Sequence, residues 1–230
     1  MSTGGLSVIT PIFRNEQTLE RTLLSVSTSW HCVEPQFQVP TEHVLVLDGR
    51  NEECQEIIER FSTASSLKIT LIQKSHRGIA ASRNTGIETA VYSHVTFLDA
   101  DDEMTPERVM AASRYSNQAV IGLQRVVYDA PSRPPAGVAA GRPEDQKVNP
   151  YLTSMVLPKH HIVEAGGFRE ELALSDDLDL VMRLRAQGVT VKFVDDVFVV
   201  RHVTGTNASL DYASLRREFF TILRASRDAG

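Results

Sequence analysis

The sequence predicts an α/β fold, a mainly parallel central sheet flanked by helices, and three observations predict it. Short apolar runs recur at residues 6–10, 43–47, 67–72 and 95–98; segments with apolar residues at helical spacing separate them; and each run is followed by a polar loop. Strands alternating with helices in this way form crossover units, whose strands lie parallel and whose ligands bind outside the strands' carboxyl ends. The loops at 13–16, 48–51, 76–78 and 99–103 are therefore expected along one edge of the sheet.

The first run, Leu6-Ser7-Val8-Ile9-Thr10, is stopped by Pro11, and Leu19, Leu23, Val26 and Trp30 follow at helical spacing. The second, His43-Val44-Leu45-Val46-Leu47, closes on Asp48-Gly49, after which Cys54, Ile57, Ile58 and Phe61 mark the apolar side of another helix. A third strand at 67–72 precedes a helix at 79–91 with Ala80, Ile87 and Val91 on its apolar side, and the fourth strand starts at Val95. Beyond residue 102 the alternation loosens. Residues 119–127 read as a strand, while 129–147 carry Pro, Gly, Ala and charge with no apolar period, as a surface insertion or a lid over the site would. A short helix is expected at 158–165, closed by Gly166-Gly167, and another at 176–187, capped by Ser175 and ended by Gly188. Strands at 189–194 and 197–201 follow. In the segment 212–227, Leu215, Phe219, Ile222 and Leu223 share a face ringed by arginines, a face suited to packing on its own domain, to an anionic membrane surface or to the second subunit of a homodimer.

With 42% hydrophobic residues, the 230-residue chain can build one domain, 1–230. Its formal charge of -5 argues against a nucleic-acid partner, which needs a basic face. Cys32 and Cys54 have neither metal-ligand spacing nor the density of a disulfide scaffold, and read as thiols of a reducing compartment. The N-terminus lacks a basic region followed by an apolar one, and no apolar run approaches the length of a membrane span, so a cytoplasmic protein is expected.

The most chemically demanding stretch is Phe97-Leu98-Asp99-Ala100-Asp101-Asp102-Glu103. Extended side chains alternate, so Asp99 and Asp101 leave the strand on one side. Like charges so close repel unless a cation lies between them, and Mg²⁺ or Mn²⁺ takes such oxygen ligands, often with substrate phosphates completing the shell. The plain alternative is a solvated acidic turn before a helix that starts with Thr105, Pro106 and Glu107.

Four further stretches accompany it: Ser7-Val8-Ile9-Thr10-Pro11-Ile12-Phe13-Arg14-Asn15, Gly78-Ile79-Ala80-Ala81-Ser82-Arg83-Asn84-Thr85-Gly86, Gly166-Gly167-Phe168-Arg169-Glu170, and Asp176-Asp177-Leu178-Asp179-Leu180 with Arg183-Leu184 behind it. In this order they resemble the S-V-I-I-P-x-Y-N, G-x-x-x-A-R-N-x-G, G-G-F-D-E and E-D-x-D-L motifs that, with DxD, mark family 2 glycosyltransferases, the inverting nucleotide-sugar transferases of the GT-A fold. Arg14 stands where the family usually has Asn, and Asp176 where it usually has Glu.

The resemblance implies a nucleotide-sugar-binding half at 1–102, an acceptor-binding and catalytic half at 103–230, and transfer of a hexosyl or N-acetylhexosaminyl group from a UDP-sugar to an acceptor hydroxyl on a glycan, small molecule or lipid-linked acceptor. It implies nucleotide contacts from Pro11, Phe13, Glu16, Asp48, Arg83, Asn84 and Asp99, with Phe13 against the base and Asp48 accepting from its imide N–H. Asp101 would be the principal ligand of Mn²⁺ or Mg²⁺ and His202 a further one, imidazole suiting Mn²⁺ better. Gly167 and Asp176 would meet the sugar or acceptor, and Asp177, supported by a helix N-terminus, would be the general base.

Each role has a structural alternative: core packing for Phe13, an exposed helical arginine for Arg83, a structural His202, and first-turn helix acids for Asp176 and Asp177. Two rival functions stand beside the transferase. A sugar-nucleotide nucleotidyltransferase would need a glycine-rich phosphate loop where Pro11-Ile12-Phe13-Arg14-Asn15 stands; the other rival is a catalytically silent nucleotide- or carbohydrate-binding module.

Overall fold

The computed structural model describes residues 3–129, 147–148, 152–203 and 218. Strands β1 (Thr3–Ile12), β2 (Thr41–Asp48), β3 (Lys68–Lys74) and β4 (Tyr92–Phe97) alternate with helices α1 (Leu19–His31), α2 (Glu52–Ala64) and α3 (Ile79–Thr89). β1 lies between β2 and β4, β3 lies outside β2, and all three pairings are parallel, as the alternation predicts. The rest of the chain extends the same sheet with β5 (Glu103–Met104), α4 (Pro106–Arg114), β6 (Ala119–Tyr128), β7 (Lys147–Val148), β8 (Met155–Pro158), α5 (Lys159–Glu164), α6 (Asp176–Ala186) and β9 (Val191–Val203). The order is β3-β2-β1-β4-β8-β6-β9-β5, with β7 on β6. β8 is antiparallel to both β4 and β6, and β9 runs parallel to β6, so the long strands share one direction.

Alternate residues of each strand feed opposite layers. Ile9, Val44, Val46, Phe97 and Leu157 pack beneath Ala80, Ile87, Ile162, Leu180 and Leu184 of α3, α5 and α6. On the other face Leu6, Val8, Val120 and Phe198 meet Val26 of α1 and Val109 of α4, while Ile12, Leu45 and Leu47 meet Leu19, Leu23, Cys54 and Ile58 of α1 and α2. Burial on both faces is why these strands read as continuous apolar runs rather than alternating ones.

The structure departs from expectation in three places, two of them in the second half. The helix expected at 158–165 starts one residue later, because Met155-Val156-Leu157 is a strand buried between β4 and β6 and Pro158 ends it as the N-cap of α5. The strands expected at 189–194 and 197–201 are one, with register shifts against β6 between Ile121 and Gln124. Exposed Asp195 and Asp196 take up the slack; Gly122 permits it, since a Cβ there would sit 2.5 Å from the Phe198 ring and 2.7 Å from Asp196 O. The helix expected to reach Val91 ends at Thr89, and Val91 is exposed where the apolar spacing places it inside. Apart from Asp129, Lys147 and Glu218, the insertion at 129–147 and the segment 212–227 lie outside the described residues. Among the described residues no helix is long and apolar enough to cross a membrane.

Candidate active site

Because β1 to β4 run in one direction, the polar loops that follow them gather at one edge. Asp48, buried at the end of β2, accepts from the backbone N–H groups of Arg77 (2.9 Å) and Gly78 (2.8 Å) and from His76 Nδ1 (2.8 Å), tying the loop after β3 to β2. Phe13 is 45% exposed, which removes core packing as its role. Its ring stacks on His76 at 4.3 Å, with the Arg14 guanidinium 5.0 Å from its centre. Arg14 has φ +56°, a left-handed conformation that Asn adopts more readily than Arg, which accounts for the Asn usual at this position. Glu16 accepts from Asn51 Nδ2, and that bond holds its carboxyl below the usual range. Pro11 lies within β1, opposite Val46.

Beyond β4, Asp99, Asp101 and Asp102 each place a carboxylate oxygen within 4.8 Å of the others. The loop is held by its backbone: Thr18 Oγ1, at the N-cap of α1, donates to Ala100 O (2.9 Å), and from α1 itself Arg21 Nη2 donates to Asp101 O (2.6 Å) and Thr22 Oγ1 to Asp102 O (2.8 Å). The carboxylates thereby stay directed by the loop while its carbonyls are satisfied by α1. Burial, and after it the charge of Asp99, pushes the Asp101 carboxyl up to about 6, and burial raises Asp102 well above the usual range. Groups crowded until they resist ionisation are a fitting receptor for a hard divalent cation.

His202 does not join this cluster. Its Nε2 faces Glu103 Oε1 at 2.7 Å and its Nδ1 faces Asp129 at 3.1 Å, so both ring nitrogens are engaged by carboxylates, and its backbone N–H donates to Asp102 Oδ1 (2.9 Å). The three carboxylates of the motif come together without it, the third being Asp102, its last letter. The three carboxylates by themselves suit Mg²⁺ or Mn²⁺.

The cluster has a pH signature. The Asp101 carboxyl titrates near 6 in the fold against 3.8 for an ordinary Asp, so between those values the native state binds more protons than the unfolded one and loses stability as pH rises. A cation that binds the ionised cluster opposes that loss. The stabilisation by Mg²⁺ should therefore grow as pH climbs through the Asp101 pKa and shrink in Asp101→Asn. Thermal melts in Mg²⁺ and in chelator check this; an increment blind to both pH and the substitution would remove the cluster as the metal's seat.

A buried arginine joins this cluster to the first turn of α6. Arg83 of α3, 4% exposed, donates from Nη1 to Asp176 Oδ2 (2.7 Å) and from Nη2 to Asp99 Oδ1 (3.2 Å), which excludes an exposed surface arginine. Asp179 is also buried and committed, to Arg183 Nε (2.7 Å) and Arg169 Nη1 (3.1 Å). Asp177 differs from both. It is only partly buried, its Oδ1 accepts from the backbone N–H of Leu178 (2.7 Å), and among the described residues no ion pair claims it. Burial raises its carboxyl above the usual range and Arg83 pulls against the rise.

The surroundings of that turn are clasped from two sides. Asn84 Oδ1 accepts from Phe168 N (2.8 Å) and its Nδ2 donates to Phe168 O (2.9 Å), fastening the turn after α5 to α3. Gly167 lies at φ +71°, and a Cβ on it would stand 2.8 Å from Asn84 Oδ1, so glycine is required there by both conformation and space. Ser175 occupies the N-cap of α6 but makes no side-chain cap bond, contrary to the capping expectation. Glu218 instead accepts from the backbone N–H groups of Ala173 (3.1 Å), Leu174 (3.0 Å) and Ser175 (2.8 Å). Sequence reasoning missed it; the available signal was a lone acid among the arginines of 212–227.

A mainly parallel sheet with helices on both faces and an acidic edge is the architecture of the GT-A glycosyltransferases, and solved structures agree. The mannosyltransferase PcManGT from Pyrobaculum calidifontis, in complex with GDP-Man and Mn²⁺, superposes with a TM-score of 0.73 at 15% identity over 99% of this chain and 65% of its own. S. aureus TarS 1-349 in complex with UDP-GlcNAc gives 0.69 at 18% identity over 90% and 61%. The profile of "Glycosyl transferase family 2" matches residues 7–166, and the chain belongs to that family. Similar sequences include glycosyltransferase AglE of Haloferax volcanii, 27% identical over 84% of this chain and 65% of AglE. Glycosyltransferase GlyA of Streptococcus pneumoniae is 33% identical over 42% of this chain and 13% of GlyA. The chain spans less than two thirds of the length of each of these proteins.

Proposed function

We propose that this chain is an inverting glycosyltransferase that moves a hexosyl or N-acetylhexosaminyl group from a UDP-sugar to an acceptor hydroxyl. The observation that carries the reading is the division of labour in the first turn of α6. Asp176 and Asp179 are buried against arginines, while Asp177 keeps an uncommitted oxygen beside the Asp176 that Arg83 ties to Asp99 of the acidic cluster. One-step inversion requires a base on the side opposite the leaving group, and a carboxyl raised by burial is a stronger base than a solvated one.

In this reading 1–102 binds the donor, and 103–230 binds the acceptor and supplies the base. The exposed Phe13–His76 stack offers a surface for the nucleobase, and the Asp48-bound loop shapes its rim. Asp101, with Asp99 and Asp102, would hold Mg²⁺ or Mn²⁺, which would supply Lewis-acid stabilisation of the leaving diphosphate. Asp177 takes the proton from the acceptor hydroxyl as that oxygen attacks the sugar carbon. Arg83 keeps Asp176 and Asp99 apart from the proton transfer by occupying both, and Asn84 and Gly167 set the wall beside it.

Calorimetric titration of UDP in Mn²⁺ and in chelator tests the donor side. Binding is expected in Mn²⁺ and to be lost or greatly weakened in chelator, because three carboxylates otherwise repel the diphosphate. Equal affinity in both conditions would take the metal out of the site.

A further inference from the structure

A second group of metal-ligating side chains lies on α5: His160, His161 and Glu164 each bring one ligand atom within 4.8 Å of the others. Glu164 follows His160 by four residues and His161 by three, so one helical turn sets its carboxylate beside both imidazoles. The two rings lie 4.1 Å apart. Among the described residues no hydrogen bond or ion pair reaches the ring nitrogens of His160 and His161 or the carboxylate of Glu164, whose backbone carbonyl alone accepts from Gln187 Nε2 (3.2 Å); His202 differs, since both its nitrogens are engaged.

The group is remote from the acidic cluster. β4 pairs His94, near its start, with Pro158, and α5 begins at the next residue, whereas Asp99, Asp101 and Asp102 follow the other end of β4. We propose that His160, His161 and Glu164 form a second cation site, selective for a borderline divalent transition metal such as Zn²⁺ or Co²⁺. Two imidazoles and one carboxylate suit such ions and leave a coordination position for water, while Mg²⁺ prefers an all-oxygen shell. The ligands span nearly all six residues of α5, a helix too short to hold itself, which leads into the Gly166-Gly167 turn gripped by Asn84 and Arg183. The ion would fasten that helix and with it the approach to the turn.

The experiment titrates untagged, full-length protein with Co²⁺ in excess Mg²⁺, which fills the oxygen cluster without competing for imidazole. Saturable uptake with visible bands of nitrogen coordination is expected, together with a rise in melting temperature. His160→Ala and Glu164→Gln should each weaken uptake by at least the roughly tenfold that even a supporting residue is worth at a metal site. Asp101→Asn should leave Co²⁺ uptake unchanged. No uptake by the wild type, or equal uptake by the wild type and the His160→Ala/His161→Ala double variant, overturns the proposal. Loss of uptake in Asp101→Asn with retention in the histidine variants assigns the Co²⁺ to the acidic cluster and also overturns it.

Discussion

Asp177→Asn is expected to preserve the fold and donor affinity while sugar transfer falls by about two to four orders of magnitude, the usual worth of general-base help. Asn keeps the size of the side chain and an oxygen for the Leu178 N–H, and it removes only the basic lone pair. The wild-type profile should carry the same group's mark. A base works ionised, and burial raises the Asp177 carboxyl, so the rate should climb with pH through a midpoint above the ordinary Asp range. If Asp177 merely favoured the helix N-terminus, the substitution would cost about 0.3 to 1 kcal/mol of stability and leave turnover intact. Transfer by the Asn variant within a few-fold of wild type at saturating donor would therefore end the assignment.

The second large effect is on stability. Arg83→Met leaves Asp176, 2% exposed, with no counter-charge, and breaking a buried ion pair from one side costs about 3 to 5 kcal/mol. In a domain of this size that is a fall in melting temperature of roughly 6 to 20 °C. Adding Asp176→Asn to Arg83→Met should recover part of the loss, because the stranded charge is gone. Arg83 also draws the Asp177 carboxyl downward, so in a still-folded variant the acid limb of the rate profile should move to higher pH. An arginine that served only as a nucleotide contact would behave otherwise: donor affinity would drop while the melting temperature and the acid limb stayed where they were.

The first half of the molecule was legible because each strand is apolar on both faces and each loop carries its chemistry at a fixed place after a strand. Pro11, Phe13, Glu16, Asp48 and Asp101 all fall on the predicted edge for that reason alone. Adjacent acids were another matter. Asp176 and Asp177 look alike in sequence, and only the position of Arg83, brought from α3, makes one a buried ion-pair partner and the other a candidate base. The surroundings of His202 were equally hidden, because a histidine's role depends on what faces its two nitrogens, and Glu103 and Asp129 lie 99 and 73 residues away. Arg108 shows the same limit. It reads as a polar position on α4 yet is fully buried, donating to the carbonyls of Phe97 and Thr153 behind the acidic loop.

The last strand also fixes an order of assembly. β1 to β4 form from crossover units close in sequence, but the acidic loop they deliver is closed by β9: Glu103 and Met104 pair with Val200 and Val199, Thr105 Oγ1 donates to Val197 O (2.5 Å), and His202 N–H donates to Asp102. These contacts close loops of about a hundred residues, which lose more chain entropy and form later than the local ones. As the chain leaves the ribosome, the first four strands can therefore pair while their acidic loop still lacks its outer wall. Cation affinity should arrive late, with the emergence of β9, so that a nascent chain gains its donor site only when the helix bearing Asp177 has already been made.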